Sequence, residues 1–167
     1  AIFYFQEALR FGEEAGFIYR NLGIAYERLD ETQQAEQAFL KALALNPDDA
    51  TTLNYVGYWW ADENRRLDEA LTFIKRAVEL RPSSGYFADS LGWVYFRLGR
   101  YDEAVDWLEK AIQLAPTDPL ISDHLGDAYW KVGRRLEAQY KWRHALDMGI
   151  EAQVADQIEK KMTNGLD

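Results

Sequence analysis

Asp123, His124 and Asp127 are the residues of this 167-residue chain whose types and spacing come nearest to chemistry. Residues three and four apart on a helix share a face, so two carboxylates and an imidazole there have the donor types of a divalent-cation site. Such a site also needs outer partners to orient the imidazole, and the sequence supplies none nearby. Ser122 beside His124 is not a nucleophile and base pair, because adjacent residues along a helix point apart. The second histidine, His144, lies twenty residues further on. Cysteine is absent, which removes disulfides, thiolate catalysis and Cys-based zinc sites together. There is no glycine-rich phosphate loop, and the paired acids Asp30-Glu31 and Asp48-Asp49 fall in turns, where they favour helix N-termini. The sequence therefore predicts no catalytic residue, no metal and no cofactor.

Composition narrows the partners. With 48% apolar and 14% aromatic residues the chain has material for a full core. A net charge of -9 repels a phosphate backbone. Basic residues are scattered singly or in pairs such as Arg65-Arg66 and Arg134-Arg135, usually with a carboxylate within four residues, the pattern of solvated ion pairs on helices. Nucleic acid is thus not an expected partner. No apolar run approaches the roughly 20 residues of a membrane span, so no insertion by this stretch is expected. The start, AIFYFQEALRF, has neither Met nor the features of a signal peptide, which leaves the compartment open.

The elements that would position any site come from repetition. DSLGWVYFRLGRYDEA, from Asp89, and DHLGDAYWKVGRRLEA, from Asp123, share eight of sixteen residues. Pro47, Pro82 and Pro116 lie 35 and 34 residues apart. Each block holds two stretches with apolar residues at helical intervals, such as Leu91, Tyr95 and Leu98, then Ala104, Leu108 and Ala111. A breaker divides them: Gly99, Gly133 and Asn64 suit a left-handed helix end, whereas Leu29-Asp30-Glu31 is a less favourable turn. Asn46, Arg81 and Ala115 precede proline, which stops the second helix. Gly23, Gly57, Gly92 and Gly126 sit inside first helices, at a cost of about 1 kcal/mol each relative to alanine; close approach to the partner helix is the expected reason. The chain reads as residues 1–12 (the second helix of an incomplete repeat), repeats at 16–49, 50–84 with one inserted residue, 85–118 and 119–150, and a capping helix at 151–163, with the last residues fraying.

These blocks resemble tetratricopeptide repeats over almost the whole chain. The resemblance implies an all-α fold, a right-handed superhelical α-solenoid of helical hairpins, and a protein-binding groove lined by the first helices. Placing the family's groove positions on this sequence yields Phe17, Arg20, Asn21, Ile24, Glu27 and Arg28, then Asn54, Tyr55 and Tyr58 with Asp62 beyond. Tyr86, Asp89, Ser90, Trp93, Phe96 and Arg97 follow, then Leu120, Asp123, His124, Asp127, Trp130 and Lys131. The family's carboxylate clamp is not met: Arg20 fits, but Ile24, Tyr86 and Ser90 do not. More loosely, LNYVGYWWAD, DSLGWVYFRLGR and DHLGDAYWKVGR are similar to terminal repeats of long bacterial arrays, some of them cell-envelope adaptors. The implied function is a non-catalytic scaffold that binds a protein or extended peptide. Two alternatives are an accessory module positioning substrate for an upstream catalytic domain, and an array that self-associates through an apolar N-terminal end carrying Ile2, Phe3 and Phe5.

Overall fold

The computed structural model describes Phe3 and residues 15–166. The helix expected over residues 1–12 lies outside the described residues, apart from helical, exposed Phe3. The described chain is a series of α-helices: α1 Ala15–Glu27, α2 Thr32–Leu45, α3 Ala50–Asp62, α4 Leu67–Leu80, α5 Gly85–Arg97, α6 Tyr101–Leu114, α7 Pro119–Lys131, α8 Arg135–Asp147 and α9 Ala152–Asn164. No strand occurs among the described residues. Every extensive helix contact joins helices one or two places apart in the chain. That nearest-neighbour pattern is the signature of a solenoid.

Local chemistry sets the helix ends. Asn46, Arg81 and Ala115, each before a proline, leave the helical region at φ of -138°, -139° and -139°. The next helices start on side-chain caps: Asp49 accepts from the Thr51 amide, Ser84 from Phe87, and Asp118 from Leu120 and Ile121. Within the hairpins, Gly99 and Gly133 are left-handed, and so are Asn64 and Asp30. Asp30 thus makes the same turn as the others without glycine. Arg66, at φ 48°, is a further left-handed residue that the sequence does not signal.

The paired helices interlock at the interior glycines. A Cβ on Gly57 would lie 2.5 Å from Ile74 Cγ1, one on Gly92 2.5 Å from Leu108 Cγ, and one on Gly126 2.5 Å from the Trp142 ring. At Gly23 the obstacle is the Phe39 ring at 2.6 Å. Each first helix therefore receives a large side chain of the second where it has none of its own, and Ala35, Ala70, Ala104 and Ala138 are wholly buried alongside.

A second repeated device escapes a sequence reading of solvated ion pairs. Arg66, Arg100 and Arg134 stand just before α4, α6 and α8 and lay their guanidinium groups over Trp60, Tyr95 and Tyr129, at 4.1, 4.6 and 3.9 Å from the ring centroids. Each also pairs with the glutamate three residues on, Glu69, Glu103 or Glu137. Arg66 reaches back to Glu36 and Arg134 to Glu109, tying one hairpin to the one before. The signal was present in the common register of the three arginines; the first hairpin has Glu31 in that place.

Gly92→Ala tests the interlock. Alanine gains about 1 kcal/mol of helix propensity. Its Cβ, however, meets fully buried Leu108 and, at 3.2 Å, the Ala104 carbonyl oxygen, and such overpacking costs about 1–3 kcal/mol. We expect a net loss, read as a lower Tm at unchanged helical circular dichroism; a variant as stable as the parent would mean that the helices part without cost.

Candidate functional site

The first helices α1, α3, α5 and α7 share one face of the array, and the predicted site residues divide there into two groups. One group is consumed by internal contacts. Asp89 and His124 are buried, and His124 Nδ1 donates to Asp89 Oδ1 at 2.9 Å, joining α7 to α5. Trp93 stacks on the imidazole at 4.2 Å and on Phe96 at 5.0 Å, with Arg97 over its ring, and retains 8% of its surface. Asp123 and Asp127 are buried beneath α9, whose Lys161 donates to Asp123 Oδ1 at 2.8 Å and to Asp127 Oδ2 at 2.9 Å. Trp142 Nε1 donates to the other Asp127 oxygen at 2.8 Å. Trp130 Nε1 donates to the Leu166 carbonyl at 3.0 Å, with Gly165 pressed on its ring. Leu166 and Gly165 are held against Trp130, and the helix extends through Thr163 and Asn164.

These contacts revise part of the sequence-based groove. Asp89 and Trp93 lie between α5 and α7, and Asp123 and Asp127 between α7 and the Lys161 side of α9, where the helices approach closely enough to bury them. Arg20 is held by Asp49 at 2.9 Å. Ile24 and Lys131 are half-buried.

The second group lines an open cleft of about 360 Å³. Its walls are Asn54, Tyr55, Tyr58 and Asp62 from α3, Tyr86 and Asp89 from α5, with Glu27 from α1 and Leu120 from α7. Tyr86 is 63% exposed and Leu120 also meets solvent. Tyr55 donates its hydroxyl to Glu27 at 3.1 Å, and the Asn54 Oδ1 is sealed from water with no donor among the described residues.

Electrostatics separate the two groups. Burial alone would lower the His124 pKa, but Asp89, with Asp123 and Asp127, outweighs it and holds the imidazolium above the ordinary histidine value. Burial and the charge of Asp123 push Asp127 up to about 6, against the pull of Lys161. Burial likewise opposes the Lys161 charge, and Asp127 and Asp123 raise it nonetheless. Tyr58, at the junction of seam and cleft, is raised by burial and by Asp62, Asp89 and Asp123.

The chemistry considered at the outset has no geometry here. Asp123, His124 and Asp127 each serve a structural partner, and among the described residues no group of three or more His, Asp or Glu side chains is placed to hold a metal ion. Ser122 does meet a histidine, with Oγ 3.2 Å from His144 Nδ1, but it is fully buried at the α7–α8 seam and His144 has no carboxylate partner among the described residues. None of the described helices is long and apolar enough to cross a membrane.

The helical hairpins, the glycine interlock and the solenoid stacking define a helical-repeat protein. The family described as tetratricopeptide repeat matches residues 17–49, and that described as TPR repeat matches residues 92–133. Over those two stretches the chain carries tetratricopeptide repeats. It is 33% identical over 96 residues to a TPR repeat-containing protein of Pseudomonas aeruginosa and 31% identical over 101 residues to a BBSome complex member of Bos taurus. The matches take in 57% and 60% of this chain but only 16% and 19% of those relatives. Among solved structures, PilF of Pseudomonas aeruginosa superposes with a TM-score of 0.79 at 19% identity, over 95% of this chain and 72% of that one. PilW, described as a widely conserved type IV pilus biogenesis factor, superposes at 0.79 with 18% identity, over 96% and 82%. MamA superposes at 0.71 with 24% identity, over 88% and 85%. These likenesses establish the fold.

Two measurements test the buried seam. Asp127 and His124 both bind their protons more tightly folded than unfolded, so their contributions are complete at low pH and lost as pH rises, through about 6 for Asp127 and above 6.5 for His124. We expect Tm to fall between pH 5 and pH 8, and His124→Gln, which also loses the charges' hold from Asp89 on α5 and Asp123 and Asp127 on α7, to flatten the upper part of that slope. Lys161→Met leaves two buried carboxylates without their cation, a loss of about 3–5 kcal/mol. Protonation of Asp127 relieves it, so the loss measured by urea denaturation should be smaller at pH 5 than at pH 8.

Proposed function

We propose that this chain is a non-catalytic protein-binding scaffold that holds a segment of a partner in the cleft on its first-helix face. The organisation proposed for it is repeats at 16–49, 50–84, 85–118 and 119–150, closed by the helix over 151–163. The observation that carries the reading is the contrast within one face. Residues with chemical potential are engaged with one another, whereas Tyr58, Tyr86, Asn54 and Leu120 line a concavity open to solvent. Rings beside polar groups in a concave surface are the usual composition of a protein-recognition patch. Of the residues singled out in the sequence, Asn54, Tyr58 and Tyr86 act as direct contacts. Asp89, Trp93, Phe96, Arg97, Asp123, Asp127 and Trp130 hold the shape of the face, and Arg20, Ile24 and Lys131 flank it.

The description of PilW as a type IV pilus biogenesis factor accords with a binding function, as does the BBSome complex membership of the bovine relative. The fold and the cleft support the scaffold reading without those analogies.

Tyr86→Ala is the direct test, since this exposed ring carries little of the core. We expect it to reduce the proteins captured from a lysate of the source cells by several-fold with Tm changed by less than about 1 °C, within the usual range for surface substitutions. Leu136→Ala, at a site 83% exposed on α8, should change neither. Equal capture by all three chains would place the binding surface elsewhere.

A further inference from the structure

The cleft has a sign. Glu27, Asp62 and Asp89 contribute carboxylates to its lining, Tyr58 and Tyr86 contribute rings, and no lysine or arginine lines it. The Asp89 charge is met by His124, and Glu27 is a hydrogen-bond acceptor for Tyr55, which brings no positive charge. Asp62, at the end of α3, is exposed and has no partner among the described residues. Two arginines stand near without lining it: Arg97 lies over Trp93 and its charge reaches Tyr58, and exposed Arg28 reaches Tyr55, each offsetting part of the negative charge. The same imbalance helps to raise the Tyr58 phenol. Aromatic faces and carboxylates together favour a desolvated cation, guanidinium above all, since its plane stacks on rings while its edge pairs with carboxylate.

Resting on the groove reading above, we infer that the cleft takes an extended peptide segment with an arginine or lysine side chain seated between Tyr58 and Tyr86, its charge on Asp62 and Glu27. The Asn54 carboxamide completes the site. It lines the same cleft, and its oxygen lacks a donor, an unfavourable state for a buried acceptor that a donor of the incoming chain would relieve. The overall charge of -9 draws any basic peptide loosely to the molecule; the inference is that the cleft selects the cation locally.

The test is an NMR titration of the whole chain with acetyl-Ala-Ala-Arg-Ala-Ala-amide, and with versions carrying citrulline or glutamate in place of arginine. Citrulline keeps the shape and removes the charge. We expect the arginine peptide to shift the Asn54 side-chain amide and the Tyr58 and Tyr86 ring signals, and to bind about tenfold more tightly than the citrulline peptide. Asp62→Asn and Glu27→Gln should each erode that preference, while Asp106→Asn, an exposed carboxylate on α6, should leave it intact. Citrulline or glutamate binding as well as arginine at the same signals would overturn the cation preference and leave the groove standing. A preference equally sensitive to Asp106→Asn would reduce it to general charge attraction and overturn it. If none of the three peptides moves the cleft signals, both the inference and the groove reading fail.

Discussion

The close approach of each helix pair at its interior glycine is the constraint on which the array depends. Gly23, Gly57, Gly92 and Gly126 receive Phe39, Ile74, Leu108 and Trp142 in turn. The receiving position is constant while the inserted side chain varies in shape, so the backbone spacing is conserved and the packing is solved separately in each hairpin. A rigid pair of this kind has one apolar flank left on each side. Stacking neighbours cover those flanks, and the first helices come to share a face as a consequence.

That face is not uniformly open. Where the helices crowd together, polar groups between them must satisfy one another, and the buried Asp89, His124, Asp123 and Asp127 do so with one another and with partly buried Lys161, at 2.8–2.9 Å. Removing charged groups from water is costly, and the geometry must be good to offset it. Toward α1 the helices leave room, and the same class of residue becomes a cleft wall. One row of positions thus supplies both the joint between hairpins and the surface offered to a partner.

Much of this was legible in the sequence because repetition multiplies weak signals. A glycine inside one helical pattern says little, but four in register demand a packing cause, and the structure supplies it. The proline stops and the left-handed Asn64, Gly99 and Gly133 were readable for the same reason. The division of the groove was not. Whether Trp93 faces solvent or lies under His124 depends on the distance between adjacent first helices, which residue types do not report. Lys161 was equally hidden, since its partners lie 38 and 34 residues away on another helix and nothing in the local pattern marks that pairing. The stacked arginines show in the sequence only as a common register, since an arginine near a carboxylate has the same pattern whether it is solvated or laid over a ring.

The joint between the first two described hairpins differs from those that follow. Helix α2 touches α3 more sparingly than α4 touches α5 or α6 touches α7. Besides Phe39 against Tyr55 and Trp59, the joint is spanned by polar contacts: Glu36 with both Arg65 and Arg66, Arg20 with Asp49, and Tyr55 with Glu27. Charge pairs at partly exposed sites weaken as salt screens them, while apolar contact does not. The joint beside the cleft therefore leans more on charge and less on apolar packing than those that follow, and rising ionic strength weakens that share of its hold first.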